Sequence, residues 1–125
     1  MSYCLNPSCL QPENPKHVGV CQTCNSKLLL CDRYRALRVL GQGRFGITFL
    51  AQDESLPTKP TCAIKQFRPT ITQSHNTEMA RELFQREAQA LGRLAHHPQV
   101  PQLLDYFQDA QQLYMVQEYI QGWTL

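Results

Sequence analysis

The chain has no apolar run approaching the roughly 20 residues needed to cross a bilayer. Its first seven residues, Met1 to Pro7, have neither the basic start nor the apolar core of a secretory signal. The expected setting is therefore a reducing cytoplasm. Charge is also sparse. A net charge of +2 and a pI near 8.3 fall short of the clustered Lys and Arg, with a pI above about 9, that mark a nucleic-acid-binding face. No internal repeat and no low-complexity tract is visible. The hydrophobic fraction of 42% is slightly low for a globular chain but outside the disordered range. A length of 125 residues suits one ordinary domain, or a small module joined to part of another.

Cysteine is plentiful and unevenly placed. Four of the six, Cys4, Cys9, Cys21 and Cys24, fall within the first 24 residues. Without a secretory signal, such a cluster points to metal rather than disulfides. Cys4-x4-Cys9 and Cys21-x2-Cys24 are separated by eleven residues. Each pair can set two thiolates on one turn, and two turns can close a tetrahedron about Zn²⁺. Pro7 stiffens the first turn, and Asn25 suits the left-handed backbone that follows such a knuckle. Four sulfurs leave no open position, so the site reads as structural. Disulfides, free thiols, or His17 replacing one cysteine are the alternatives. Cys31 is not expected to be a ligand, and Cys62 is expected in the core. Only Lys16 and Lys27 are basic besides His17 in residues 1–30, too few for a phosphate-binding face.

Composition changes near Leu28, after which Leu28-Leu29-Leu30 reads as a short apolar joint. The expected organisation is a four-cysteine module over residues 1–30 and a second unit over residues 31–125. In the second unit, Tyr34–Leu40, Ile47–Ala51 and Cys62–Phe67 read as strands. Glu78–Leu94 is the one clear helix, with Asn76 or Thr77 as its N-cap, and His96-His97-Pro98 ends it. Val100–Gln108 and Leu113–Tyr119 read as two further strands. Three strands, a helix and two strands predict an α+β fold, a mostly antiparallel five-stranded sheet with one main helix against it.

Gly41-Gln42-Gly43-Arg44-Phe45-Gly46 is a G-x-G-x-x-G run, which alone is weak evidence. In a dinucleotide fold the third glycine opens a helix, whereas here Ile47-Thr48-Phe49-Leu50 favours a strand. The run is then a hairpin tip whose backbone N–H groups can approach phosphate oxygens. Nineteen residues after Gly46 comes Lys65, at the end of an apolar strand segment. It either points into a cleft or faces solvent from an edge strand. Along the helix, steps of three and four join Ala80, Phe84, Leu91 and Leu94 into an apolar stripe, and Glu87 completes it. A carboxylate on a buried face is costly unless a cation meets it. Lys65 is the available cation, and a place on the stripe's rim is the alternative.

This set resembles the protein kinase family. The matching residues are Leu40 to Thr48 for the glycine-rich loop, Ala63-Ile64-Lys65 for the lysine strand, Glu87 for the helix glutamate, and Leu113 to Gly122 for the last strand and hinge. The resemblance implies the N-terminal lobe of a Ser/Thr protein kinase using ATP with Mg²⁺. Gly41, Gln42, Gly43, Arg44, Phe45 and Gly46 would cover the phosphates. Lys65 would contact the α- and β-phosphates, held by Glu87. Leu40, Thr48 and Ala63 would sandwich the adenine, with Glu118 and Ile120 offering backbone hydrogen bonds and Gln117 at the back. Thr48 stands where valine is usual, and Gln117 where many kinases have an apolar residue. The cysteine segment is similar to the zinc-ribbon-like head that precedes the kinase domain in a group of bacterial Ser/Thr kinases, with regulation or partner binding as the implied role.

Neither His-Arg-Asp nor Asp-Phe-Gly occurs among the 125 residues, and phosphotransfer requires both segments. The catalytic floor, the Mg²⁺ ligands and the protein-substrate surface would lie in a second lobe, and the chain by itself is expected to be inactive. The rival expectation is a non-catalytic binding or regulatory module that keeps the lobe as a scaffold.

Overall fold

In a computed structural model, residues 2–42, 46–68, 77–93, 102–109 and 112–119 are described. The order is β1 (Ser2–Tyr3), β2 (Glu13–Asn14), β3 (Leu29–Leu30), β4 (Tyr34–Gln42), β5 (Gly46–Asp53), β6 (Thr61–Phe67), α1 (Thr77–Arg93), β7 (Leu103–Asp109) and β8 (Gln112–Glu118). The sheet has six strands in the order β3-β4-β5-β6-β8-β7, every neighbouring pair antiparallel. The expected five-stranded sheet is corrected by one strand. The joint at Leu29-Leu30 pairs with β4, Leu30 against Tyr34 and Leu29 against Arg35. Two residues are too few for a periodic signal. The reversal into β4 uses left-handed backbone at Cys31 (φ 54°) and Asp32 (φ 55°) rather than a glycine.

Alternation in β6 gives the sheet two distinct faces. Cys62, Ile64 and Gln66 point to one side, where Leu30, Tyr34, Ala36, Phe49, Ala51, Tyr114 and Val116 complete a buried cluster. The sheet curls over this cluster. Tyr34 of β4 stacks on Phe107 of β7 with ring centroids 6.5 Å apart, although three strands separate them in the sheet order. The other face carries Ala63, Lys65 and Phe67. There Phe67, Leu113 and Met115 bury against Phe84 and Ala88 of α1.

The cysteine segment is built onto this lobe. β1 and β2 form a two-stranded antiparallel ribbon, and Cys4, Cys21 and Leu28 make a small core of their own. Leu5 instead enters the core of the large sheet, and Tyr3 packs on Phe49 at 5.4 Å. The Leu5 carbonyl accepts a 2.7 Å hydrogen bond from Gln66 Nε2, which also donates to the Tyr114 hydroxyl at 3.0 Å. Arg68 donates to Gln66 Oε1. Arg35, nearly buried, donates to Glu54, to Ser2 Oγ and to the Val18 carbonyl at 2.7–2.9 Å. A buried guanidinium needs its charge and its donors answered together, and here two of the three partners come from the cysteine segment. Among the described residues no helix is long and apolar enough to cross a membrane.

Candidate functional site

Register fixes which side chains share a face, because directly paired residues point the same way. One cross-strand row runs Thr48, Lys65, Met115, Tyr106, and the next runs Leu50, Ala63, Gln117, Leu103. Both rows lie on the α1 side. Lys65 Nζ donates to Glu87 Oε1 at 2.7 Å and Oε2 at 2.6 Å. The lysine and glutamate side chains are 16% and 27% exposed, so the pair sits in a partly desolvated cleft where an ammonium and a carboxylate stabilise each other more than at the surface. The two sequence-predicted residues, 22 positions apart, are thus brought together.

The glycine run is placed in part, since Gly43, Arg44 and Phe45 lie outside the described residues. Gly41, paired with Thr48, has open space where a Cβ would stand. Gly46 differs. A Cβ there would lie 1.9 Å from the Gln66 carbonyl oxygen, so this glycine is required for β5 to lie against β6. Leu40 and Thr48 are half-buried and Ala63 is buried. Gln117 is 3% exposed, and its Oε1, like the Tyr106 hydroxyl, is without a hydrogen-bond partner among the described residues. The Glu118 N–H donates to the Gln102 carbonyl at 2.9 Å, so it is already committed. Ile120 and His96-His97-Pro98 lie outside the described residues.

The second cluster is the four cysteines. All four Sγ atoms lie within 4.8 Å of one another, with Cys4–Cys24 and Cys9–Cys21 each at 3.6 Å. A disulfide would need about 2.05 Å. A tetrahedron of thiolates with bonds of about 2.3 Å has edges of about 3.8 Å, close to the separations found. Asn14 Nδ2 donates to Cys21 Sγ at 3.5 Å and Asn6 Nδ2 to Cys24 Sγ at 3.6 Å. The Ser26 hydroxyl, 3.2 Å from Cys24 Sγ, acts with the Ser26 backbone N–H to hold the Cys24 thiol down at about 6. Asn25 takes the left-handed conformation, φ 65°. Cys31 is exposed and outside the cluster, and Cys62 is buried, its thiol pushed up to about 11 by burial. Gln66, Arg35 and Leu5 carried no sequence signal. Their partners are a distant backbone carbonyl, a serine and a core facing another module.

A family model described as the protein kinase domain matches residues 34–125. The chain belongs to the protein kinase family. It is 54% identical over all 125 residues to serine/threonine-protein kinase B of Synechocystis sp. and covers 22% of that protein. It is 46% identical over 98 residues to serine/threonine-protein kinase C of the same organism, covering 78% of this chain and 18% of that one. The chain thus spans about a fifth of the length of these curated relatives. Among solved structures, the apo form of PpkA-294 superposes with a TM-score of 0.58 at 22% identity, over 70% of this chain and 35% of its own, a likeness of fold. Strands β4 to β8 and helix α1 accordingly lie in the N-terminal part of a kinase domain, and the match to kinase B includes the cysteine segment.

Proposed function

We propose that the chain is the ATP-binding part of a serine/threonine protein kinase that, with its second lobe, transfers the γ-phosphate of ATP to protein hydroxyls. The observation that carries this reading is the bidentate contact of Lys65 with Glu87. A scaffold has no use for an ion pair in a cleft, and the reaction does, because a fixed ammonium neutralises charge on the α- and β-phosphates. Glu87 sets the direction of Lys65. Gly41, with space above it, and Gly43 form the cover, while Gly46 anchors that cover to β6. Leu40, Thr48 and Ala63 supply apolar walls for the base. With its N–H engaged, Glu118 would serve the base through its carbonyl, and Ile120 through its backbone. Mg²⁺ supplies charge neutralisation between the phosphates when bound, and its ligands belong to the other lobe.

The four cysteines form a zinc-ribbon-like module, residues 1–30, in which Cys4, Cys9, Cys21 and Cys24 hold one structural Zn²⁺. The donor set and sulfur separations fit that ion, and the N–H donors of Asn6 and Asn14 suit thiolates. The module leaves residues 31–125 as the nucleotide lobe.

Lys65→Ala and Glu87→Ala in the full-length protein test the cleft. Each is expected to lower phosphotransfer by about a hundredfold or more, on the scale of removing a preorganised charge from a transition state. Near-normal rates in either variant would sink the assignment.

A further inference from the structure

A divalent ion held by four thiolates leaves a net charge of −2, and Cys4 and Cys21 would carry their share of it in a buried core with Leu28. Buried charge is costly unless donors answer it. Among the described residues no Lys or Arg side chain donates to these sulfurs, and the groups that reach them are neutral. Asn14, 4% exposed, uses every polar group of its side chain. Its Oδ1 accepts from the Gln22 N–H at 2.8 Å. Its Nδ2 donates to the Pro12 carbonyl at 3.0 Å and to Cys21 Sγ at 3.5 Å. Turning the amide over would set its oxygen against a carbonyl and a sulfur, and its NH₂ against an N–H, so the orientation is forced. Asn6 is arranged in the same way. Its Oδ1 accepts from the Ser8 N–H at 3.0 Å, and its Nδ2 donates to Ser26 Oγ at 3.2 Å and to Cys24 Sγ at 3.6 Å. Ser26 Oγ, having accepted that bond, keeps its own hydrogen for Cys24 Sγ, 3.2 Å away.

We propose that Asn6 and Asn14 are positioning residues of the metal site, two amide clamps that aim Cys24 and Cys21 and retain the ion by sharing the charge on those sulfurs. This rests on the four-cysteine zinc reading and goes a step past it, to what sets how long the ion stays. Each clamp joins parts of the segment that are apart in sequence. Asn6 stands between Cys4 and Cys9 and reaches a sulfur of the second pair. Asn14 stands in β2, opposite Ser2, and ties both Cys21 Sγ and the next backbone N–H to that ribbon. A hydrogen bond to a charged sulfur is stronger than one to a neutral thiol, so the clamps hold best when the cysteines are metal-bound thiolates. The ion leaves when sulfurs swing away from it, and the clamps oppose that motion at Cys21 and Cys24. Removing an outer partner of this kind costs about tenfold to a hundredfold in metal affinity.

The test loads full-length parent, Asn14→Asp and Asn6→Ala with Co²⁺ and, separately, with Zn²⁺ under reducing conditions. Asn14→Asp keeps the shape and the acceptor for Gln22 but loses the donor to sulfur. Asn6→Ala removes a half-buried side chain and leaves no core cavity. Both variants are expected to bind one equivalent of Co²⁺ with the ligand-field bands of a tetrahedral site. Their sulfur-to-cobalt charge-transfer band is expected at longer wavelength than the parent's, because a thiolate without its donor gives up an electron more readily. Transfer of Zn²⁺ to excess chelator is expected to be faster by about tenfold or more. Release within about threefold of the parent, short of what an outer partner contributes, overturns the inference. So does faster release with an unmoved charge-transfer band, because the amides then only shape the loops. Should a carboxylate beside the thiolates keep Asn14→Asp from folding, Asn6→Ala decides by the same two readouts. A parent that takes up no stoichiometric metal overturns the zinc reading itself, a separate outcome.

Discussion

Gly46 illustrates how one residue can hold a motif for a reason the motif does not advertise. In sequence it is the third glycine of the G-x-G-x-x-G run. In the structure its missing side chain makes room for the Gln66 carbonyl, 1.9 Å from where a Cβ would be. Gly46→Ala must push β5 away from β6, and backbone cannot yield as a flexible side chain does. The expected loss is about 2 kcal/mol or more of stability, read as a fall in the urea midpoint of the 125-residue chain with an unchanged slope. A variant as stable as the parent would contradict the packing described. At this scale the sequence was informative where a residue broke a pattern. Glu87 was legible because a carboxylate sat on an apolar stripe, and Lys65 was the cation in reach. Gln66 was illegible because its partner, the Leu5 carbonyl, is a backbone atom 61 positions away, and backbone atoms leave no mark in a sequence.

Among the elements, α1 and the long strands followed their periodicity to within a few residues. β3 did not, because two leucines cannot display an alternation. Its turn also lacks the Asn-Gly or Asp-Gly signal that marks a tight hairpin. Cys31 and Asp32 both adopt left-handed backbone instead, a conformation disfavoured for residues with a Cβ. Cys31 is exposed and packs little, so Cys31→Gly relieves the strain at small cost in contacts. The expected gain is about 0.5–1 kcal/mol after allowing for the greater freedom of glycine in the unfolded chain. Thermal unfolding would show it as a rise of a few degrees, whereas a fall would mean that the cysteine side chain contributes more than its exposure suggests. The two-stranded ribbon of β1 and β2 was equally hidden, since four ladder residues among prolines and asparagines give no apolar rhythm.

At the scale of the whole molecule, the cysteine segment and the kinase-like sheet pack together through the described residues rather than as beads on a string. Leu5 lies in the lobe's core, and Arg35 of the lobe has Ser2 and Val18 as partners. If the four cysteines hold Zn²⁺ as proposed, its removal should therefore be felt well beyond Cys4, Cys9, Cys21 and Cys24. Reduced, purified protein is expected to carry one equivalent of zinc, and less than about half an equivalent would count against four-cysteine ligation. Chelation is expected to raise amide hydrogen exchange in β1 and also across β6, where Gln66 loses its acceptor. Exchange confined to residues 1–30 would refute the coupling. The same strand carries a further constraint. Lys65 faces the cleft and its immediate neighbour Gln66 faces the interior of the curl, so the two sides of the protein are assigned by parity along a single strand. Insertion or deletion of one residue between Ala63 and Phe67 would exchange the sides, sending an ammonium into the aromatic interior and an amide toward Glu87. A change of two residues would preserve parity. Length variation in this strand is thus restricted to even steps, by the need to meet the cysteine segment through Gln66 and Glu87 through Lys65, back to back.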